Sequence, residues 1–512
     1  MRRIGIDVGG TNTDAVLIED GKVVGAVKAP TSEDVTTGIL DSLKALGATG
    51  VLKGKKIDGV MIGTTHFINA VVQRRHLTRV GALRLGMPAS ASLPPFCDWP
   101  EDLADLVRGG VWMVEGGHEY DGRLFMPLDE AAVTKSAEEM KAKGLKSVAI
   151  SAIFSPLDPT HEKRAAELVA KVIPEAIITC SSDLGRIGLL ERENAGLLNA
   201  ALADLSRDTI AAFEKAIRDS GIAAPLFITQ NDGTVAEASQ ARRLPVYSFA
   251  SGATNSMRGA AYLSGLSDAM VIDVGGTTTD VGQLKNGFPR EANSVVKVGG
   301  VRTLFRMPDL LSIGLGGGSH VQLDPLKVGP ISVGYRLLRD GIAFGGKQLT
   351  TTDVAIAAGV LTLGDRAKVA HLDAATCKKV FAEAARLSEE AIDRMKTEAG
   401  DVPLIAVGGG AFLIPEKLPG VSKVIHVQHG DCANAVGAAI AQVSGECDQI
   451  FKDMTRNEAL AAAQGIANDR AVAAGAERKT LSTIESEDMP LAYLPGNSVR
   501  VRVRVVGDVA GS

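Results

Sequence analysis

Several things are scarce in this sequence, and each shortage closes off a class of protein. Aromatic residues make up 4% of its 512 residues, against 45% apolar and 22% charged. That is the profile of soluble α/β domains rich in alanine, glycine and valine, and it argues against a disordered chain. An excess of positive charge is missing: 55 basic and 60 acidic residues leave a net charge of −5. No broad basic surface follows, so nucleic acid is not expected as a partner. No run of about 18 apolar residues occurs, which argues against a membrane partner or a membrane-crossing helix. The first residues lack an apolar signal region, so a cytoplasmic location is expected. The five cysteines (Cys97, Cys180, Cys377, Cys432, Cys447) are odd in number and scattered. They form no C-x-x-C pair, so neither a disulfide framework nor a zinc site is indicated, and most are read as small buried side chains.

One phrase is present twice. "IDVGGTNTD" at Ile6 to Asp14 returns as "IDVGGTTTD" at Ile272 to Asp280, with Asn12 replaced by Thr278. Each copy then reaches a tight-turn signal, Asp20-Gly21 or Asn286-Gly287, at the same distance from its first aspartate. Asp-Gly and Asn-Gly between apolar strands predict hairpins. A repeat 266 residues apart is too long for a solenoid. It predicts two similar domains, each opening on strand, glycine turn, strand and hairpin. The length also exceeds one compact core.

Between and after the copies, apolar strands alternate with helical stretches, which predicts α/β layering. "KSVAISAIF" and "PLFITQNDG" read as strands, and "PLIAVGGGAFLIPEKL" as strand, glycine turn and helix start. "PTHEKRAAELVAKVI" and "LLNAALADLSRDTIAAFEKAI" read as helices, as does "VFAEAARLSEEAIDRMKTEAG", closed by Gly400. His161 is expected on a helix surface, with Glu162 and Glu167 on the same helix. The stretch 85–129 is less periodic and reads as a loop-rich surface insertion. We therefore expect a first domain at 1–200 containing that insertion, a second at 201–445, and a C-terminal helix and strand appendage at 446–512. In the appendage "VRVRVRVV" alternates strictly, with Val499, Val501, Val503 and Val505 on one face and Arg500, Arg502 and Arg504 on the other. The arginine face reads either as solvated or as a docking edge for another subunit.

Paired glycines after a strand let the backbone approach an anion, and exposed amides in such a turn form an anion-binding concavity. Threonine hydroxyls at Thr11 and Thr13, or at Thr277, Thr278 and Thr279, could add hydrogen bonds to phosphate oxygens. Asp7 and Asp273 would repel a phosphate unless a divalent cation lay between, Mg²⁺ held largely through water being the natural choice. A tight turn without a ligand is the competing reading for one copy, and the second copy weakens it.

"DVGGTNTD" and "DVGGTTTD" resemble the two phosphate loops of the actin, Hsp70 and sugar-kinase ATPase superfamily. "LIAVGGGAF" is similar to its adenosine motif. "ENAGLLNAAL" (193–202) and "ANAVGAAI" (433–440) resemble its two interdomain helices. More narrowly, "GTTHFINA" (63–70), "TQNDGTV", "SIGLGGGSHV" (312–321), "QLTTTDVAIAAG" and "PLAYLPGNSVRVRVRVVGD" resemble segments of the hydantoinase/5-oxoprolinase family, in a short form without the long C-terminal extension. The chain departs from that family's pattern in two places. Asn231-Asp232-Gly233 stands where long members carry S-N-G-G, and "SGATNSMRG" stands where they carry S-G-P-A-G-G.

The resemblance implies an α/β fold of two similar ribonuclease H-like (actin/Hsp70-type) domains with a nucleotide cleft between them. It implies ATP-dependent, ring-opening hydrolysis of a cyclic amide such as a hydantoin, 5-oxoproline or a lactam. The cofactors implied are ATP and Mg²⁺, with room for a monovalent cation. The partners implied are the small cyclic amide and a second hydrolase subunit or further copies of the chain. Asp7 and Asp273 are the metal candidates, and Asp280 and Asp14 are candidates for orienting the attacking group. Gly9, Gly10, Thr11, Asn12 and Thr13, with Gly275, Gly276, Thr277 and Thr278, would cradle phosphates. Gly408, Gly409 and Gly410 would flank adenine and ribose. Thr64, Thr65, His66 and Asn69 could line the substrate cleft or only cap a strand end. The run "SIGLGGGS" could touch phosphate or make a tight crossing.

Two alternatives remain at this stage, a small-molecule kinase and a partner-regulating ATPase switch. "GIAFGGKQ" fails as a P-loop because Gln348 replaces the metal-binding hydroxyl. His426 and His429 lack an evident third ligand, so a solvated loop is expected there.

Overall fold

The repeated phrase folds twice into the same hairpin. Strand Arg2–Val8 is buried along its whole length and pairs antiparallel with Asn12–Glu19, placing Asp7 opposite Asp14 and Val8 opposite Thr13. Strand Ala269–Val274 pairs with Thr279–Lys285 in the same register, placing Asp273 opposite Asp280 and Val274 opposite Thr279. Both turns close on the same bond: the Gly9 amide donates to the Asn12 carbonyl at 3.0 Å, and the Gly275 amide to the Thr278 carbonyl at 2.9 Å. The downstream turns also match. Asp20 and Gly21 have φ of 49° and 75°, Asn286 and Gly287 have 53° and 76°. Two successive positive φ values are the type I′ geometry that Asp-Gly and Asn-Gly favour in hairpins. The computed structural model describes residues 1–9, 12–30, 35–185, 187–292, 296–304, 306–491 and 497–510. Gly10 and Thr11, expected at the site, lie outside them.

Around each hairpin the sheets grow differently. The first joins a nine-stranded sheet that runs 482–490, 499–507, 442–451, 234–237, 226–229, 59–64, 2–8, 12–19, 22–30. The second joins a sheet of 288–289, 279–285, 269–274, 402–407 and 421–426, with 310–313 pairing 279–285. In each, the leading strand has a parallel neighbour on its far side: Asp7 stands beside Gly63, and Asp273 beside Val407. The expected boundaries at 200 and 445 do not follow these sheets. Residues 226–237 and 442–507 return to the first hairpin's sheet, so the expected appendage completes that sheet.

The stretch expected as a loop-rich insertion contributes to a third sheet. Strands Arg108–Glu115, Val80–Met87, Ser147–Ala152 and Ile177–Cys180 lie in that order and pair in parallel. Its central strands Val80–Met87 and Ser147–Ala152 are buried almost throughout. The strand inside 85–129, Arg108–Glu115, is the half-exposed edge of this sheet and shows no regular alternation of burial.

The interdomain helices also differ from expectation. Helix Ala433–Ile440 packs against Ser251–Ser264, while Leu189–Ala201, which carries the 193–202 segment, packs on the third sheet beside Ser147–Ala152 and Ile177–Cys180. The crossing is close enough to need glycine. A Cβ on Gly437 would lie 1.8 Å from the Asn255 carbonyl oxygen, and one on Gly259 would lie 2.0 Å from that of Ala433. The segment read as one long helix is two, Leu189–Ala201 and Ala203–Asp219. Helix Ala374–Met395 ends before Gly400, at an extended Lys396.

The C-terminal strand Val499–Gly507 sits between 442–451 and 482–490. Its valines pack on helix Arg456–Ala473, whose Ala459, Ala463, Ala467 and Ala471 are fully buried on one face. Its arginine face is neither solvated nor a docking edge. Arg500 pairs with Asp448 at 2.6 Å, Arg502 with Glu485 and Glu291 at 2.9 Å, and Arg504 with Asp232 at 3.2 Å. Arg306 enters the same network through Glu291, Glu446 and Glu485. Alternation correctly gave a two-faced strand, and the acids that cover the polar face come from distant segments. Among the described residues no helix is long and apolar enough to cross a membrane.

Candidate functional site

Asp7 lies one residue from the end of its strand, after the fully buried Ile4 and Ile6, and it is 6% exposed. The Asn434 side-chain amide donates to its Oδ2 at 3.2 Å. Its Oδ1 is buried and has no hydrogen-bond partner among the described residues. Burial pushes this carboxyl up to about 7, with Asn434 opposing and the nearby Asp14 and Asp273 adding to the rise. A buried polar atom left without a partner costs about 1–3 kcal/mol, more when charged.

The free oxygen faces the start of helix Ser251–Ser264. A Cβ on Gly252 would lie 4.0 Å from Asp7 Oδ1, and one on Gly63, the neighbour in the adjacent strand, would lie 2.9 Å from it. That helix start is held in place from both sides. The Ala250 amide donates to Asn231 Oδ1 at 2.7 Å, Thr254 Oγ1 donates to the Asn231 carbonyl at 2.9 Å, and Ser251 Oγ donates to the Thr64 carbonyl at 3.2 Å. Unpaired amides at a helix start favour negative charge nearby.

Asp14, across from Asp7, accepts from Lys28 Nζ at 2.9 Å, and Lys28 also donates to the Asp431 carbonyl at 3.0 Å. Burial raises the Asp14 carboxyl, and Lys28 opposes. Asp273 is pushed up to about 6 by burial and by Asp280, and Asp280 is itself raised by burial. Asp7, Asp14 and Asp273 lie within electrostatic range of one another, with Asp280 beside Asp273. Among the described residues, Lys28 is the only Lys or Arg in an ion pair with any of them. These carboxylates, with two orphaned oxygens (Asp7 Oδ1 and Asp14 Oδ1) and too little positive charge, fit a hard divalent cation held largely through water.

The second turn is built more firmly. Its Gly275 and Gly276 carbonyls accept from the Gly317 amide at 3.0 Å and the Gly318 amide at 2.7 Å. Gly317 is held in turn by the Thr351 and Thr352 hydroxyls, at 2.8 and 2.7 Å. The run "SIGLGGGS" is therefore a tight crossing over the second turn, one of the two readings its composition allowed. The Gly408–Gly410 turn folds over the same place: the Gly410 amide donates to the Val274 carbonyl at 2.7 Å. Gly408 has φ of +87°, and a Cβ there would lie 2.3 Å from Asp273 Oδ1.

The structure thus gathers Asp7, Asp14, Asp273 and Asp280, with Gly275, Gly276 and Gly408–Gly410 at the second turn. Thr277 and Thr278 are exposed beside it, and Gly9 and Asn12 are half-exposed at the first. Two hydroxyls turn away. Thr13 is wholly buried against Gly38, and Thr279 donates to the Leu315 carbonyl at 2.8 Å. Thr64 and Thr65 brace the following helix: the His66 amide donates to Thr64 Oγ1 at 3.1 Å, and Asn69 Nδ2 donates to Thr65 Oγ1 at 3.2 Å. Thr65 remains beside Gly252, and burial lowers His66. His161 is not on an open surface, because its Nδ1 accepts from the Gly117 amide at 2.8 Å. Glu162 is fully buried and accepts from the Ala152 and Ser182 amides at 2.8 Å each. No group of three metal-ligating side chains forms around His426 and His429, or elsewhere among the described residues.

Sequence reasoning missed Asn434, Lys28 and Asn231. Asn434 had a visible signal, being the one polar side chain in "ANAVGAAI". Lys28 also had one, since the Asp20-Gly21 hairpin sets it across from Asp14, whereas Asn231 shows in the sequence only as a departure from the family's pattern and its hold on the start of helix Ser251–Ser264 is a tertiary contact.

Two family models match the chain: "Hydantoinase/oxoprolinase N-terminal region" over residues 3–173 and "Hydantoinase/oxoprolinase" over residues 192–395. The chain is 28% identical over 393 residues to the caprolactamase subunit alpha of Pseudomonas jessenii, covering 71% of this chain and 55% of that protein. It is 26% identical over 396 residues to the acetophenone carboxylase gamma subunit of Aromatoleum aromaticum, covering 70% and 53%. It spans about half the length of these relatives. The solved structure of the ATP-dependent caprolactamase from Pseudomonas jessenii superposes with a TM-score of 0.78 at 20% identity, covering 99% of this chain and 87% of that one. That likeness concerns the fold, and agrees with the expected pair of actin/Hsp70-type α/β units.

Proposed function

The chain belongs to the hydantoinase/oxoprolinase family, and from that premise we propose that it is the ATP-using component of a system that opens a cyclic amide. The observation that carries this reading is the pair of matched aspartate turns, Asp7 opposite Asp14 and Asp273 opposite Asp280, with Asp7 and Asp273 within range of each other.

An amide resists water because resonance quenches its carbonyl. Transfer of the γ-phosphoryl group to the amide oxygen breaks the bond to ADP and makes the ring carbon electrophilic. Water adds there, the ring nitrogen leaves with a proton, and hydrolysis of the resulting acyl phosphate releases acid and phosphate. Phosphoryl transfer asks the protein mainly for positioning and charge neutralisation.

The backbone of Gly275–Thr278, and Gly9 and Asn12 of the first turn, would cradle the phosphates, and Gly408–Gly410 would lie against the nucleoside. Asp7 and Asp273 would hold Mg²⁺ largely through its waters, and that ion would offset the phosphate charge. Of the two orienting candidates, Asp280 is favoured. Asp14 is already tied to Lys28, whereas burial raises Asp280, which has no ion pair among the described residues. A carboxyl raised by burial is the stronger base and so the better suited to accept a proton.

The relatives named above are subunits, which supports a second subunit for the hydrolytic step. A second reading, ATP-dependent activation of a ketone for carboxylation, is favoured by the acetophenone carboxylase relative at nearly the same identity. One experiment tests both. The purified chain, with and without the product of its neighbouring gene, is incubated with ATP, Mg²⁺ and K⁺ or Na⁺, and with hydantoins, 5-oxoproline, lactams, or acetophenone plus bicarbonate. Ring-opened acid with ADP and phosphate supports the first reading, and a carboxylated ketone the second. A stable phosphorylated metabolite would mark a kinase, and ATP turnover stimulated by protein alone a switch.

A further inference from the structure

The stretch from Gly430 to Asn434 bonds to groups at both aspartate turns. It consists of the short turn Gly430–Cys432 and the start of helix Ala433–Ile440. The Gly430 carbonyl accepts from the Gly408 amide at 2.9 Å, and a Cβ on Gly408 would lie 2.3 Å from Asp273 Oδ1. The Asp431 carbonyl accepts from Lys28 Nζ at 3.0 Å, and the same ammonium donates to Asp14 Oδ2 at 2.9 Å. The Asn434 side-chain amide donates to Asp7 Oδ2 at 3.2 Å. Asp7 and Asp14 belong to the nine-stranded sheet, and Asp273 belongs to the sheet of the second hairpin. One short stretch of chain therefore holds groups that two separate sheets supply.

Lys28 reaches that stretch along a cross-strand row. Asp7 stands opposite Asp14, and Asp14 opposite Lys28. The second hairpin repeats the row with a different end: Asp273 stands opposite Asp280, and Asp280 opposite Ser312. A lysine carries its ammonium on a long flexible stem and can bond to a neighbouring segment, whereas a serine hydroxyl stays beside its own backbone. A cleft of about 450 Å³ parts strand Lys22–Pro30 from the turn, lined by Val23–Lys28, His429, Asp431 and Cys432. Lys28 bonds across it.

These contacts contribute more to geometry than to stability. The Lys28 side chain is 33% exposed, and a partly exposed ion pair adds little to folding. A shift of the turn, however, would move Asn434 from Asp7, Lys28 from Asp14 and the Gly430 carbonyl from Gly408 together. Phosphoryl transfer depends on positioning, and a misplacement of about 1 Å can cost about 100-fold in rate.

We propose that Lys28 and Asn434 are positioning residues that act through this one turn and set Asp7 and Asp14 against Asp273 for phosphoryl transfer. This rests on the ATP-using reading above.

The test compares Lys28→Met, Asn434→Ala and the double variant in the full chain, with Lys28→Arg as the conservative change. Lys28→Met keeps the aliphatic stem and removes the ammonium. Circular dichroism checks the fold. Amide exchange is followed by mass spectrometry without nucleotide, ATP turnover by phosphate release with Mg²⁺, and affinity with a fluorescent ATP analogue. Each single variant should speed exchange at 407–411 about tenfold. Each should lower kcat about tenfold while ATP affinity stays within about twofold. The double variant should fall no more than about threefold below the weaker single one, because both residues act through the same turn. Lys28→Arg, which keeps donors for both partners, should retain kcat within about threefold. Independent losses that multiply to about 100-fold in the double variant overturn the single-turn account. Weaker nucleotide binding with kcat intact in Lys28→Met also overturns it, because that marks an ammonium that binds phosphate directly. Wild-type exchange and turnover in both single variants refute the proposal and leave the ATP reading standing. A wild-type chain that neither binds nor turns over ATP refutes both.

Discussion

At the first aspartate turn the support is sparse and comes from side chains: Asn434 on Asp7, Lys28 on Asp14, and a helix start held by Asn231. At the second turn it is dense and comes from backbone: the 316–318 and 408–410 glycine runs bond directly to residues 274–276, and Thr351 and Thr352 brace the first of these runs from behind. The two turns have nearly one sequence and one register. They differ in what the rest of the chain lays over them. Asp7 keeps an orphaned oxygen and the more strongly raised carboxyl, while Asp273 sits under a lid of glycine backbone. A duplicated phrase sets equal local geometry, and its neighbours then specialise one copy as the open side of the clamp and the other as the fixed side.

The largest expected effect treats the copies alike. Asp7→Ala and Asp273→Ala should each lower ATP turnover by about 100-fold or more, the scale for removing a charge-positioning group from a site of this kind. Phosphate release at saturating Mg²⁺ measures it, with circular dichroism to show that the fold survives. Near-normal turnover in both would dissolve the clamp.

The next effect should belong to the second turn alone. Gly408→Ala places a methyl against Asp273 Oδ1 and the Val274 carbonyl at a positive φ, whereas at Gly409 nothing lies within 4 Å. Gly408→Ala should cost about 1–3 kcal/mol in a denaturant melt and weaken nucleotide binding. Gly409→Ala should be close to neutral in stability. Equal costs at both would mean that the close approach is not required.

A smaller effect tests the brace. Thr351 Oγ1 donates to the Gly316 and Gly317 carbonyls at 2.6 and 2.8 Å. Thr351→Val should cost about 1 kcal/mol and speed amide exchange around 275–278, with residues 7–14 unchanged. Faster exchange at both turns would show that the two are one cooperative unit.

The smallest effect concerns pH. Asp7 and Asp273 titrate near 7 and 6 in the folded chain, against an unfolded value of about 3.9. Between those values the folded chain holds more protons, so the stability these groups contribute is complete below about pH 4 and drains as pH rises toward 7. Without Mg²⁺ or nucleotide, Tm should fall from pH 5 to pH 8, and Asp7→Asn should flatten that fall. Mg²⁺ should raise Tm more at pH 8 than at pH 5. A slope unchanged in Asp7→Asn would remove Asp7 from this account.

The sequence by itself determined the two hairpins, their register and their turns. Those depend on contacts within about twenty residues, and Gly-Gly, Asp-Gly and Asn-Gly have few other ways to fold. It also carried the two-faced C-terminal strand, because period-2 alternation is local. Of the third sheet it carried only Ser147–Ala152, and the parallel pairing of that strand with Val80–Met87 and Ile177–Cys180 joins segments with no shared local pattern. It placed the connecting helix at 193–202, where the tertiary structure uses 251–264, since only a crossing at glycine distance shows which helix meets Ala433–Ile440. The partners of Arg500, Arg502 and Arg504, the lid over Asp273 and the empty oxygen of Asp7 were likewise decided in three dimensions. Each depends on side chains and backbone brought together from segments far apart in the chain, and no local pattern records which of them will meet.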